Sequence, residues 1–395
     1  MYVSVKGTRL TRAVPANVLA LGAVSLVTDV SSEMITAVLP LYLVGTLGLS
    51  LLQFGLLDGL YFGVTALVRL AGGHAADRWR RRKLVAGIGY ALSAVCKLAL
   101  PAAGGSVAAL GAVVAADRTG KGLRTAPRDA LITLSAPAGA LGAAFGVHRA
   151  MDTVGAFAGP LAAFAVLALT GGAYDAVFVT SFCVAVLGVL LLVLYVRDRP
   201  GPAAPRERLR SAVLRDPAFL RLCGVAAVLG LVTVSDSFVY LMLQKRIGFA
   251  PELFPLLPLG TAGVYLLLAV PFGKLADRYG RAAMFLLGHG FLLAAYLLLM
   301  GPAWLLPVLV LHGLFYAATD GVLMALAGPL LPESLRTSGL ALLQTGQATA
   351  RMLSSVAFGA LWTVLGAGAG LAVVSAGLLA AVLIAWRMLL RGERS

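Results

Sequence analysis

The chain of 395 residues is 60% hydrophobic and only 12% charged, with a mean hydropathy of +0.92. A soluble domain of this length could not hide so much apolar surface, so the lipid bilayer is the expected solvent. The formal net charge of +15 invites a nucleic-acid reading, but the positions of the cations assign them to membrane orientation instead.

Apolar runs of about 20 residues, enough to cross a bilayer, recur along the whole chain, as in 177–196 (VFVTSFCVAVLGVLLLVLYV) and 283–300 (AMFLLGHGFLLAAYLLLM). They are continuous rather than alternating, which argues against a membrane barrel. Twelve helical spans are expected, over 16–45, 51–72, 84–100, 107–134, 143–170, 174–196, 217–243, 254–273, 282–300, 304–330, 337–365 and 371–390. The basic start (Lys6, Arg9, Arg12) leads into the first span without a small-residue cleavage pattern. That span is therefore expected to serve as an uncleaved insertion signal.

A charge at bilayer depth costs about 3 kcal/mol or more on insertion scales, so each one should face an interior or a partner. In the first span Ser25, Asp29, Ser32, Glu33 and Thr36 fall on one helical face. Asp29 and Glu33, one turn apart, would repel if both were ionised. Either they share a proton or arginines from other spans neutralise them.

After the second span comes the basic segment GGHAADRWRRR at 72–82. The fourth span carries Asp117, Arg118, Lys121, Arg124, Arg128 and Asp129, all within an arc of about 140° on a helix, so they should line the interior. The fifth contains Gly146, Gly155, Gly159 and Pro160 in the spacing G-x8-G-x3-G-P, followed by Ala162 and Ala163. Such small residues permit close helix contact, and the proline bends the helix. His148 and Asp152 share that stripe one turn apart and form a candidate titratable pair.

The Pro- and Arg-rich stretch 197–216 (RDRPGPAAPRERLRSAVLRD) interrupts the apolar pattern halfway and reads as a cytoplasmic linker between bundles at 1–196 and 217–395. Two echoes relate these halves. GGHAADRWRRR at 72–82 is matched by FGKLADRYGRA at 272–282, and Leu26-Val27-Thr28 by Leu231-Val232-Thr233. The second half holds fewer intramembrane charges. Asp236 and Asp320 are isolated carboxylates, while Gln344, Gln347, Arg351 and Ser355 make a polar stripe on the eleventh span. Arg351 either binds an anionic solute group or pairs with Asp320 or Asp236. Tyr61, Phe62, Phe238, Tyr240, Tyr265 and Phe315 are aromatic candidates for walls of a substrate cavity, or for plain packing.

Of the expected outward loops only 244–253 contains Lys or Arg, namely Lys245 and Arg246, whereas the inward segments 78–83 and 197–221 and the tail are rich in them. This is the positive-inside pattern, with both termini in the cytoplasm of a cell-membrane protein. Cys96, Cys183, Cys223 and the four histidines (His74, His148, His289, His312) show no metal-ligand spacing, so neither a metal nor a cofactor is expected.

Two copies of a short basic motif, twelve spans and the charge bias together resemble the major facilitator superfamily over essentially the whole chain. That family carries a G-x-L-A-D-R-x-G-R-[KR] loop between its second and third helices and often a degraded copy between the eighth and ninth. Gly73, Asp77, Arg78, Arg81 and Arg82 match the first copy, with Ala75 in place of Leu and Arg80 in place of the second Gly. Gly273, Leu275, Ala276, Asp277, Arg278, Gly280 and Arg281 match the second. The resemblance implies an all-α fold of two pseudo-symmetric six-helix bundles, with these loops gating the cytoplasmic mouth as the halves rock about a central site. Arg118 and Gly122 match the R-x-x-x-G core of a fourth-helix motif that the resemblance associates with proton coupling. The fifth-span motif is similar to that of proton-coupled drug exporters.

The expected function is therefore secondary transport of a small organic solute coupled to protons, export being favoured and uptake of an anion such as a carboxylate or siderophore the alternative. A monomer is the expected working form. No G-x-x-x-x-G-K-[ST] loop for ATP and no Ser/His/Asp or H-E-x-x-H constellation is present, which argues against a pump or an enzyme. A non-transporting receptor would gain little from charges kept in lipid. Reporter fusions after Ser395 and within 200–210 are expected to be active only as cytoplasmic reporters; a periplasmic signal at either overturns the topology.

Overall fold

The computed structural model describes residues 14–79, 81–199, 216–301, 304–332 and 336–390. Among them are thirteen α-helices and no strand: α1 (Ala16–Leu41), α2 (Leu51–Trp79), α3 (Arg82–Ala102), α4 (Val107–Ser135), α5 (Leu141–Thr170), α6 (Tyr174–Tyr195), α7 (Pro217–Leu231), α8 (Asp236–Ile247), α9 (Leu257–Tyr279), α10 (Arg281–Met300), α11 (Leu305–Ala327), α12 (Arg336–Leu365) and α13 (Ala367–Leu390). Helices α7 and α8 are two pieces of one span, so twelve spans result. Ten are long and apolar enough to cross a membrane. The remaining two are α2, whose apolar part is the shorter Leu51–Thr65, and α4, which carries the charges read from the sequence.

The helices begin and end where their sequences supply caps. Ser106 accepts from the Ala109 amide at the start of α4, and Asp216 from the Ala218 and Phe219 amides at the start of α7. Gly171 and Gly248 close α5 and α8 in the left-handed conformation that glycine adopts without a Cβ penalty.

The expected bounds of α2, of α9, which runs to Tyr279 rather than 273, and of the seventh span differ from those observed, whereas α1 with its last turn ends within a residue of expectation. α2 continues to Trp79, so the first basic motif occupies the last turns of a helix. The side chains of Gly73, Asp77 and Arg78 lie outside the described residues. α1 is prolonged by a π-helical turn, Tyr42–Thr46. The seventh span, expected to be continuous over 217–243, breaks between Leu231 and Asp236. Tertiary partners replace its helical hydrogen bonds there: the Val234 amide donates to Tyr296 Oη at 2.7 Å and Ser354 Oγ to the Thr233 carbonyl at 2.8 Å. Discontinuous spans of this kind are tolerated at membrane depth only where protein covers the freed backbone.

By its internal packing the chain divides into two units, Met1–Leu39 with Leu67–Pro205, and Pro40–Ala66 with Arg206–Ser395. In the first, α3 lies along both α4 and α6. Gly89 and Gly120 let α3 and α4 touch backbone to backbone; a Cβ on either would stand 2.6 Å from the other's carbonyl oxygen. Asn17, at the start of α1, ties the ends of α4 and α6 together through Ser135 Oγ (2.7 Å) and the backbone of Arg197 (3.1 and 2.8 Å). Arg82 is buried beside the same end of α6, with the Arg199 carbonyl 3.4 Å away.

The second unit repeats this plan. α10 lies along α11 and α13 as α3 lies along α4 and α6, and α12 packs on α7. The LVT echo is structural as well, since Thr28 and Thr233 each donate to the carbonyl four residues earlier, both at 2.8 Å. This unit also takes in the first part of α2. Gly55 and Gly59 meet α12 so closely that added Cβ atoms would stand 2.5 Å from the Ser355 carbonyl oxygen and 2.7 Å from that of Met352. Phe54, Phe238, Phe358 and Trp362 form an edge-to-face cluster beside this crossing.

In the first unit Gly155 of α5 faces the Leu26 carbonyl of α1 inside van der Waals distance of any Cβ, whereas nothing lies within 4 Å of a Cβ on Gly146. Gly155→Leu must push two backbones apart and is expected to cost about 1–3 kcal/mol, read as a lowered thermal transition in detergent. Gly146→Leu serves as the control and is expected to leave that transition in place.

Candidate functional site

In the first unit α1 presents its polar face to α4 and α5. Asp29 lies 3.5 Å from Arg124 and Glu33 lies 4.0 Å from Lys121. Arg124 is 4% exposed and also packs over the Tyr90 ring, 4.6 Å from its centroid, so it is held from two sides. Ser25 donates to Asp152 Oδ1 at 2.7 Å and receives Arg128 Nη1 at 3.2 Å. Arg128 itself pairs with Asp129 at 3.0 Å and stands 3.9 Å from Asp152.

Of the two readings left open for the helix 1 carboxylates, cations from another helix therefore do face both. Among the described residues, Arg118 has its ion pair elsewhere. Its guanidinium bonds Asp117 on its own helix, with Nε at 2.9 Å. Lys97 of α3, also buried, acts electrostatically on the same carboxylate. Adjacent positions on a helix rarely face each other, so the Asp117–Arg118 contact needed side-chain geometry to be seen. His148 is buried, its Nε2 without a hydrogen-bond partner, and it makes no ion pair with Asp152 among the described residues.

The glycines of α5 place their helix directly on this carboxylate face. A Cβ at Gly159 would meet Glu33 Cβ at 2.7 Å and the Val30 carbonyl at 2.8 Å. Pro160 is buried next to it. Gly146, although part of the same sequence motif, makes no such contact.

The second unit holds a separate polar cluster. Asp236, first residue of α8, receives His312 Nε2 at 3.0 Å and Tyr316 Oη at 2.6 Å on the same oxygen. The His312 ring stacks between those of Tyr240 and Tyr316. The Arg351 guanidinium stands 5.7 Å from the Tyr316 ring centroid, its Nε buried without a hydrogen-bond partner. Asp320 is reached by the Tyr265 hydroxyl at 3.3 Å, and Gln344 Nε2 lies 3.5 Å from Met324 Sδ. Among the described residues no hydrogen bond holds the Gln347 side chain.

The second basic motif is well defined. Gly280, with φ of +104°, makes the turn after α9, and Arg281 binds Asp277 (2.8 and 3.0 Å) and the Ala325 carbonyl (3.0 Å). Gly273 has open space around it and Arg278 lies over the Tyr279 ring. In the first motif Arg81 is exposed at the start of α3.

Sequence reasoning missed Asp58, His312 and Tyr316. Asp58 lies in the tight α2–α12 crossing, where Ser355 Oγ donates to it at 2.6 Å. The sign was present, a single acid in the apolar run LLQFGLLDGLYFG between glycines one turn apart. His312 has no metal-ligand spacing in the sequence, and its role in the structure is a hydrogen bond to Asp236, 76 positions away.

The sequence profile described as Major Facilitator Superfamily matches residues 21–264 and 237–395. An uncharacterized MFS-type transporter of Methanocaldococcus jannaschii is 30% identical over 372 residues, 91% of this chain and 92% of that one. An uncharacterized protein of Mycobacterium tuberculosis is 28% identical over 299 residues, covering 73% and 68%. Among solved structures, the nucleoside transporter NupG superposes with a TM-score of 0.79 at 13% identity, over 94% of this chain and 98% of that one. A bacterial homolog of the human lysosomal transporter Spinster, inward-facing and unoccupied, gives 0.75 at 16%, over 98% of both. These last two share the fold of this chain.

Removing one partner of a buried ion pair leaves an uncompensated charge and costs about 3–5 kcal/mol. Arg124→Gln is expected to lower thermal stability in detergent, and Asp29→Asn in that background to recover part of the loss. Strictly additive effects in this double-mutant cycle would mean that the two side chains do not interact.

Proposed function

The chain belongs to the major facilitator superfamily of membrane transporters, and on that premise we propose that it is a proton-coupled exporter of a small organic solute. It works in the cell membrane as a monomer, with both termini and the 197–216 linker in the cytoplasm and a six-span bundle on either side of that linker. The observation that carries the coupling is the match between the carboxylates of α1 and the cations of α4, pressed together by the glycine face of α5.

A proton and a cation are alternative partners for a carboxylate in low dielectric. When α4 holds Arg124 against Asp29 and Lys121 near Glu33, the acids are neutralised by the protein. A rocking movement that separates the helices removes those partners, and a proton then takes their place. Glu33 and Lys121 are the looser pair, about a third exposed at 4.0 Å, and Glu33 is the first site to exchange. Solute and proton are coupled because each stabilises a different state. The tight Gly159–Glu33 contact supports the export reading, since the exporter-like motif bears directly on the proposed proton site. Arg281, tied to Asp277 and to the Ala325 carbonyl, supports the gating role of the basic motifs; that contact has to break for α9 to move against α11.

In proteoliposomes loaded with a pH-sensitive dye and tested against a compound panel, the wild-type chain is expected to move protons with its solute. Asp29→Asn and Glu33→Gln are each expected to abolish proton-driven accumulation while sparing energy-independent exchange. Concentrative transport with unchanged pH dependence in both variants sinks the assignment and moves attention to His148 and Asp152.

A further inference from the structure

The cations of α4 and Arg351 of α12 differ in one respect. Arg118, Lys121, Arg124 and Arg128 each have a carboxylate within 4.0 Å. Arg351 has none among the described residues: its contacts are the Tyr316 ring and hydroxyl, both neutral. Asp236 and Asp320 lie near enough to act on it electrostatically without forming an ion pair. Asp236 is already engaged by His312 and Tyr316. Among the described residues Asp320 accepts from the Tyr265 hydroxyl, at 3.3 Å, and it is exposed. Since a carboxylate is not stable against hydrocarbon, that exposure is to an aqueous face of the unit.

The relative height of the two groups follows from the helix register. Tyr316, Asp320 and Met324 succeed one another at i, i+4 and i+8 along one face of α11. On α12, which runs the other way, Arg351 meets Tyr316 and Gln344 meets Met324. Asp320 is thus opposite the level of Gln347, one helical turn, about 5.4 Å, from the level of Arg351. Among the described residues, then, a cation and an anion that form no ion pair stand one turn apart in level on neighbouring helices, near enough to act on each other electrostatically, with Tyr316, Tyr265 and Gln344 beside them.

Resting on the transporter reading above, we propose that the solute is a small zwitterion whose acidic group is held by Arg351 and whose amino group is held by Asp320. Each charge of the solute supplies the partner that the protein withholds from its own residue. Arg351 offers a planar fork of donors suited to a carboxylate or phosphonate, and Tyr316 fixes its plane from behind. Gln344 and Gln347 can hydrogen-bond polar atoms between the two ends. A solute with a single charge would leave either Asp320 or Arg351 desolvated and unpaired, which disfavours its entry.

The test uses the full chain purified in detergent and a ruler of probes from glycine through β-alanine, 4-aminobutyrate and 5-aminovalerate to 6-aminohexanoate, with the N-acetyl and methyl ester derivative of each. Binding is read by thermal stabilisation. At least one amino acid is expected to bind, and acetylation or esterification to weaken it by about tenfold or more, the equivalent of one lost charge contact. Arg351→Gln should abolish the penalty for esterification alone, and Asp320→Asn the penalty for acetylation alone. A singly charged derivative that binds as tightly as its parent overturns the proposal, as does binding by no member of the ruler; neither outcome depends on the variants folding. Counterflow in liposomes separates this from the parent reading. Zwitterions that bind but are never exchanged refute transport and leave recognition standing. A singly charged panel compound that is transported while the ruler is ignored refutes recognition alone.

Discussion

Hydrocarbon offers no hydrogen-bond partner and almost no dielectric relief, so every charge and every freed backbone group in the spans must be answered from within the protein. Most of the structure is a set of answers to that demand. Helix α4 is the most polar span, and it is buried where α1, α3 and α5 each bring it a partner: Asp29 and Glu33 from α1, Lys97 beside Asp117 from α3, Asp152 from α5. The glycines follow from the same requirement. Short polar side chains such as Asp29 and Ser25 can reach another helix only if the backbones come close, and Gly89, Gly120, Gly155 and Gly159 permit that approach.

The two units solve the problem differently. The first neutralises its charges internally, as a device that exchanges partners would. The second leaves Arg351 and Asp320 incompletely answered and surrounds them with Tyr316, Tyr265, Gln344 and Gln347. On the proposed reading the first half energises and the second recognises, so that mutations in one are expected to leave the other's role in place.

Much of the fold was legible in the sequence because its signals are one-dimensional. Length and apolarity of the runs gave twelve spans, and the displaced copies GGHAADRWRRR and FGKLADRYGRA gave the internal repeat. Gly280 at φ +104° shows why the second copy keeps its glycine. Pairing was less accessible, because it depends on rotation and depth of helices that sequence does not specify. Spacing along α4 does not say which of its cations faces Asp29, and in the structure it is Arg124, 3.5 Å away. The interruption of the seventh span had only a faint local sign: the segment LVTVSDS contains neither glycine nor proline, and its Ser235-Asp236 pair, a helix-start signal, sits where α8 begins, while the bonds that hold the break come from Tyr296 and Ser354, far away in the chain. Asp58 shows the converse, a visible anomaly whose partner, Ser355, is 297 positions away.

The interrupted span also has a mechanical side. Around Val232 to Ser235 the chain has already given up its ordinary helical bonds, and the ones that replace them come from a tyrosine hydroxyl and a serine hydroxyl, both on single-bond pivots. Flexing at this joint strains two side-chain contacts rather than a ladder of backbone bonds. An intact helix bent through the same angle would have to rupture bonds that no lipid can replace. The seventh span is in effect pre-cut, with α7 and α8 able to change their mutual angle cheaply, and the residue mounted on the moving edge of that cut is Asp236. Whatever tilts α8 therefore shifts the acid that His312 and Tyr316 hold, and with it the ring on which Arg351 rests.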